Sequence, residues 1–185
     1  MPFKKIGLCE GLVQGILATG YTAPTEIQAE AIPVAIEGRD MIGCAQTGTG
    51  KTAAFVLPIL NRIALCPDKP KKPVPKALII TPTRELAMQI DASVKGYGRF
   101  VRVSSLAVFG GAKIEKQIKS LKRGVDVITA TPGRLIDLIN QGYIDLSTIE
   151  VLVLDEADRM LDMGFIHDIN RIIEKVPNEK QTLLF

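Results

Sequence analysis

Ala45-Gln46-Thr47-Gly48-Thr49-Gly50-Lys51-Thr52 is the stretch whose reading decides the fold. It stands between a short β-rich run, Met41–Ala45, and a helical stretch, Lys51–Leu65, so it reads as a turn from a first strand into a helix. It matches the P-loop pattern, with Ala45 at the first glycine position. In such a turn small residues such as Gly48 and Gly50 let the backbone N–H groups from Gln46 to Gly50 curl around phosphate oxygens, and the new helix aims its positive end at them. Lys51 then supplies a point charge for the β- and γ-phosphates, and Thr52 a hydroxyl for Mg²⁺.

Working outward, short apolar runs alternate with longer helical periods. The runs Met41–Ala45, Ala77–Thr81, Val103–Val108, Val125–Ala130, Val151–Asp155 and Thr182–Phe185 read as strands, several nearly continuous in Val, Ile and Leu. Runs of that kind are covered on both faces, as in parallel sheets. In Arg84–Gly96, Leu86, Ala87, Ile90 and Val94 share one helical face; in Phe165–Val176, Ile166, Ile169, Ile172, Ile173 and Val176 do the same. The alternation predicts an α/β fold with a mostly parallel sheet and helices on both faces. Cys9–Thr19 and Thr25–Glu37 read as two helices ahead of the first strand, the second kinked or broken at Pro33. Cys66–Lys76, with four Pro and four Lys, reads as an extended, solvated connection.

The size agrees with one domain: 185 residues, 46% hydrophobic, enough to bury a full core and too apolar for disorder. No apolar run reaches the ~20 residues that would span a bilayer, and the first residues lack a signal-peptide core. Three scattered cysteines and the lone His167 cannot assemble a zinc site, so no structural metal is expected. Free thiols without a secretion signal fit a cytoplasmic protein. Cys44 is expected to be buried in the first strand. A net charge of +3 permits a polyanionic partner without arguing for one.

Asp155-Glu156-Ala157-Asp158 follows the apolar run Val151–Leu154, where a P-loop enzyme needs its second Mg²⁺ partner. Asp155 would hold the metal, directly or through water. Glu156 would accept a proton from a water attacking the γ-phosphate. Arg159 reads as helix surface, Met160-Leu161-Asp162-Met163 as core, and His167 as a solvated residue on a polar helical face.

Taken together, these motifs resemble the first RecA-like domain of a DEAD-box RNA helicase, over Phe3 to Phe185. Gly164-Phe165-Ile166-His167 further resembles the bacterial RhlE-type branch. The resemblance implies a helical extension at 1–38 packed on a RecA-like domain at 39–185. Gly20-Tyr21-Thr22-Ala23-Pro24-Thr25-Glu26-Ile27-Gln28 is similar to the family's Q motif, with Phe3 as its upstream aromatic. A carboxamide both donates and accepts, so Gln28 can meet adenine's N6 and N7. Tyr21 can lie against the base, and Thr25 can cap the next helix. The expected cofactors are ATP and Mg²⁺.

Three further matches imply RNA contacts: Pro82-Thr83-Arg84, Gly110-Gly111 and Thr131-Pro132-Gly133-Arg134. All follow predicted strands, the edge where open α/β sheets bind ligands. Hydroxyls, arginines and exposed N–H groups there can hold the backbone of single-stranded or locally unwound RNA, largely independently of sequence.

The resemblance also implies partners beyond this chain. Asp158 would couple to a Ser-Ala-Thr motif, and a second RecA-like domain would supply an arginine to the γ-phosphate. The apolar run at Thr182–Phe185 is expected to continue in a longer parent. Alone, the 185-residue chain is expected to be a monomer with weak binding and little turnover. Two functions fit: the ATP- and RNA-binding half of an RNA helicase that remodels short duplexes, or a non-catalytic nucleotide- and RNA-binding clamp.

Overall fold

The computed structural model describes residues 2–46, 48–66 and 71–185. The chain opens with α1 (Pro2–Lys5), α2 (Glu10–Ala18) and α3 (Glu26–Ile36), then enters β1 (Met41–Ile42) and α4 (Lys51–Leu65). Next come β2 (Ala77–Ile80), α5 (Arg84–Tyr97), a single 3-10 turn at Gly98–Phe100, β3 (Ser105–Val108) and α6 (Ile114–Arg123). The remainder is β4 (Val127–Ala130), α7 (Pro132–Asn140), β5 (Val151–Leu154), α8 (Ala157–Asp162), α9 (Ile166–Ile173) and β6 (Gln181–Leu184).

The six strands form one sheet in the order β1-β6-β5-β2-β4-β3, every pair parallel. Successive residues of a strand point to opposite faces, and the core divides accordingly. Ala77, Ile79, Val151, Val153 and Leu183 face α2, α3, α4 and α5. Leu78, Ile80, Ile128, Leu152 and Leu154 face α6, α7 and α9. Helices therefore cover both faces, as the apolar runs predict.

The first three helices share the first core layer with α4 and α5 through Phe3, Leu12, Val13, Ile16, Ile32 and Ala35. Buried Asn61 of α4 fastens them: its Oδ1 accepts from Cys9 N at 2.9 Å and its Nδ2 donates to Gly7 O at 3.2 Å. Helix α2 lies so close to α5 that a Cβ at Gly15 would fall 2.0 Å from the Tyr97 carbonyl oxygen.

Several expectations need correcting. Helix α3 runs through Pro33 unbroken, and α4 likewise contains Pro58. These two helices pack along each other, and burial of Ala31, Ile32, Ala35 and the inner face of α4 offsets the lost backbone bonds. The first strand is two residues rather than five, because β1 is an edge paired only with β6 and the chain must turn at once into the loop. Cys44 lies beyond it and is exposed. Of the run after the acidic motif only Met160 is core; Leu161 and Met163 are exposed, since a helix as short as α8 buries a single face. Ile166 is also exposed, at the first turn of α9, while Ile169 and Ile172 are buried.

Candidate functional site

The phosphate-loop stretch, the acidic motif and the three stretches expected to contact RNA each follow the carboxyl end of a strand, and the parallel order puts all six ends along one edge. Gly20–Gln28 instead joins α2 to α3, ahead of the sheet. The loop ahead of α4 leaves β1 by way of Gly43, whose N–H donates to Leu184 O at 2.7 Å. A side chain at Gly43 would strike the Phe185 ring. Gly48 and Gly50 have φ of 85° and 90°, the left-handed region that other residues reach only with strain. Gly50 is the N-cap of α4, so Lys51 and Thr52 form its first turn. Thr49 Oγ1 donates to Gln46 O at 2.7 Å and closes the loop on itself. Thr47 lies outside the described residues.

Gln28 is fully buried. Its Oε1 accepts from Thr25 N at 3.1 Å, one half of a capping box in which Thr25 is the N-cap of α3. Its Nε2 donates to Gly50 O at 3.1 Å. Each end of the carboxamide makes one bond within the chain and keeps capacity for a second, but with the side chain 0% exposed, reading a base requires it to move. Tyr21 is half-buried and edge-on to Tyr97, with ring centroids 6.1 Å apart. Phe3 is 1% exposed and belongs to the core, where it has no face to offer a nucleotide.

Two clefts flank the loop and share Cys44 and Ala45. One, about 530 Å³, is lined by Thr25, Glu26, Ile27, Glu30, Gln46 and Thr49. The other, about 580 Å³, brings together Lys51, Glu156, Asp158, Arg159 and Phe185. Asp155 is buried beside the second. Burial first, then the neighbouring Glu156, pushes its carboxyl up to about 6, while Lys51 and the Thr81 hydroxyl pull the other way. Thr81 lies one residue past Ile80 as Asp155 lies one past Leu154, and the register pairs Ile80 with Leu154. The buried Thr81 hydroxyl therefore faces the Asp155 carboxylate.

Glu156 is the only non-glycine among the described residues with positive φ, 54°, and it forms the N-cap of α8. Arg159 Nη1 donates to its Oε2 at 2.8 Å. The sequence reading missed this partner, although three-residue spacing at a helix start is the signal that finds it. Asp158 is exposed. No cluster of three or more His, Cys, Asp or Glu among the described residues could hold a metal unaided.

At the far half of the edge, Arg84, Gly111 and Arg134 come together. A Cβ at Gly111, whose φ is 80°, would sit 3.6 Å from an Arg84 guanidinium nitrogen. Arg134 Nη1 donates to Ala112 O at 3.3 Å, and its side chain is only 16% exposed. It therefore pins the glycine turn, while exposed Arg84 pairs with Glu85 at 2.5 Å. Gly110 and Gly133 have open space where a Cβ would be. Thr83 caps α5 by accepting from Leu86 N at 3.3 Å; Thr131, at the start of α7, makes no such bond. Pro82 is buried, leaving its ring no exposed surface for a ligand.

A sequence profile described as DEAD/DEAH box helicase matches residues 25–185. The chain is 49% identical over 183 residues, 99% of its length, to RNA helicase CrhR of Synechocystis sp., covering 36% of that protein. It is 48% identical over 185 residues to DEAD-box ATP-dependent RNA helicase CshA of Streptococcus pneumoniae, covering all of this chain and 34% of the relative. The protein of the same name in Bacillus cereus is 47% identical over 183 residues, 99% of this chain and 34% of the relative. The chain thus spans about a third of the length of these curated relatives. No helix among the described residues is long and apolar enough to cross a membrane.

Proposed function

The chain belongs to the DEAD/DEAH box helicase family, and from that membership we propose that it is the ATP- and RNA-binding first RecA-like domain of an ATP-dependent RNA helicase. The observation that carries the reading is the cleft where Lys51, at the start of α4, meets Glu156, with buried Asp155 beside it. A nucleotide's phosphates lie over Gln46–Gly50, with Lys51 against the β- and γ-phosphates. The base enters the neighbouring cleft beside Thr25, where Gln28 turns from its internal bonds to adenine and Tyr21 supports the ring. Residues 1–38 act as an extension that carries this base contact, and 39–185 as the catalytic core.

The donor set fits a magnesium ion brought in with the nucleotide. Asp155 offers one buried carboxylate and Thr52 one hydroxyl, with phosphate oxygens and water completing an all-oxygen shell. The Thr81 hydroxyl beside Asp155 is placed to orient that carboxylate. When bound, the ion neutralises charge on the β- and γ-phosphates.

Hydrolysis then falls to the chain's own groups. Glu156 exchanges Arg159 for the attacking water and takes its proton as the water oxygen bonds to the γ-phosphorus and the bond to ADP breaks. Charge on the transferring phosphoryl group is met partly by Lys51. An arginine from a second RecA-like domain supplies the rest, a contribution of roughly 10³–10⁵ in rate. Asp158, exposed at the same cleft, couples to that domain. RNA lies across Thr83, Arg84, Gly110, Gly111, Thr131, Gly133 and Arg134, held by its backbone.

The Arg159 ion pair on Glu156 favours a second reading, a clamp that binds nucleotide and RNA without turnover. RNA-stimulated ATPase of the longer parent protein, with and without Glu156→Gln, separates the two. The helicase reading expects robust activity abolished by the substitution. A parent that binds ATP and RNA but has no ATPase establishes the clamp, whereas ATPase indifferent to Glu156→Gln takes the proton-accepting role away from Glu156.

A further inference from the structure

Helix α6 begins at Ile114, three residues beyond Gly111, and leads away from the site edge. Its inner face is Ile114, Gln117, Ile118 and Leu121, packed on the second core layer, with Gln117 Nε2 donating to Phe109 O at 3.0 Å. That bond ties the helix to the glycine turn. From Lys113 to Arg123 this segment carries five basic residues and one acid, Glu115, a balance of +4 against +3 for the whole chain. Everything else therefore sums to −1.

Lys116, Lys119 and Arg123 are exposed and fall at i, i+3 and i+7, one above another on the side opposite the core. Like charges at that spacing repel. Yet neither these three nor Lys113 forms an ion pair among the described residues. Lys122 is turned aside, 5.9 Å over the Tyr143 ring. A ridge of unneutralised cations about 10 Å long, continuous with the Gly110-Gly111 turn, is complementary to a phosphodiester backbone.

We propose that the exposed face of α6 is a second RNA-binding surface, which takes the backbone of the strand after it leaves the glycine turn and lengthens the RNA footprint. The proposal rests on the RNA-binding role given above for the sheet edge. It assigns Lys113, Lys116, Lys119 and Arg123 to phosphate contacts, which add affinity and salt dependence but no base preference.

The test measures binding of the 185-residue chain to two oligouridylates by fluorescence anisotropy over a salt series. A strand of about six nucleotides reaches only the sheet edge, and one of about 15 reaches α6 as well. Wild type should bind the longer strand more tightly and with a steeper salt slope. The triple variant K116Q/K119Q/R123Q should match wild type on the short strand. On the long one it should lose about tenfold in affinity at low salt and about 2 in slope, at ~0.7 per phosphate contact. Should the triple variant fail to fold, K119E alone must still flatten the slope on the long strand and not on the short. Unchanged affinity and slope on the long strand, with the short strand bound, overturn the α6 surface and leave the edge intact. No binding of either strand by wild type overturns both.

Discussion

The nitrogen of the fully buried Gln28 carboxamide donates to the Gly50 carbonyl at 3.1 Å, joining α3 to the loop ahead of α4. A Cβ at Gly50 would fall 2.3 Å from that nitrogen, so the loop and the side chain are fitted to each other. Gln28→Ala removes the link, leaves Thr25 N without its acceptor and opens a small void. The expected loss is about 1–3 kcal/mol in stability, together with weaker adenine-nucleotide binding. Urea unfolding and nucleotide titration on the same variant check both. Unchanged stability means that the contact carries no weight.

Asp155 sets a pH dependence whose sign is unusual for a carboxylate. Its folded-state value near 6 exceeds the ordinary 3.8, chiefly through burial. The unfolded chain therefore loses the proton first, and stability present below about pH 4 is lost as pH rises to about 6. Asp155→Asn does not titrate. Without metal or nucleotide it should be more stable than wild type at pH 7, by on the order of 2–3 kcal/mol, and the gap should close towards pH 4. Thermal unfolding across that window reads the difference, and a gap that widens on acidification contradicts the assignment.

Asn61 tests whether the first helices hold to the core by specific bonds. Asn61→Leu keeps the branched shape, with slightly more bulk, but strands the Cys9 N–H and the Gly7 carbonyl. We expect a loss of about 2–3 kcal/mol and faster proteolysis ahead of residue 20. Equal resistance to protease would place the stabilising contacts elsewhere in that interface.

Much of the fold was legible because the strands are short apolar runs separated by helical periods. Five of the six expected strands keep their place to within two residues. Burial was less legible where an element is too short or too marginal for periodicity to act. Leu161, Met163 and Ile166 are apolar and exposed because α8 and the first turn of α9 offer no second layer to cover them. Pro33 misled for the opposite reason: packing of α3 against α4 outweighs a local rule. At the site, motif residues were found by residue type. Their partners (Arg159 on Glu156, Thr81 beside Asp155, Ala112 under Arg134) depend on register and turn geometry. Phe3 was assigned to the nucleotide by its position in a motif, whereas the core claims it.

Two glycines separate packing from ligand approach. Gly15→Ala forces α2 away from the Tyr97 carbonyl, a backbone atom with little freedom, and should cost about 1–3 kcal/mol. Gly133→Ala meets nothing and lies in the first turn of α7, so the melting temperature should hold or rise slightly. The same methyl group stands where an RNA backbone would approach, so RNA affinity should fall several-fold. Unimpaired RNA binding by Gly133→Ala would count against a close approach at that turn.

The most direct trial of the nucleotide site is calorimetric titration of the 185-residue chain with ATP and GTP in Mg²⁺, beside Lys51→Ala. We predict weak, saturable ATP binding, at least tenfold weaker for GTP, since a tenfold preference needs only about 1.4 kcal/mol from the contacts to the base. Lys51→Ala should abolish it. Equal affinity for the two nucleotides, or ATP binding untouched by Lys51→Ala, would contradict the placement of base and phosphates around the Gln28–Gly50 contact.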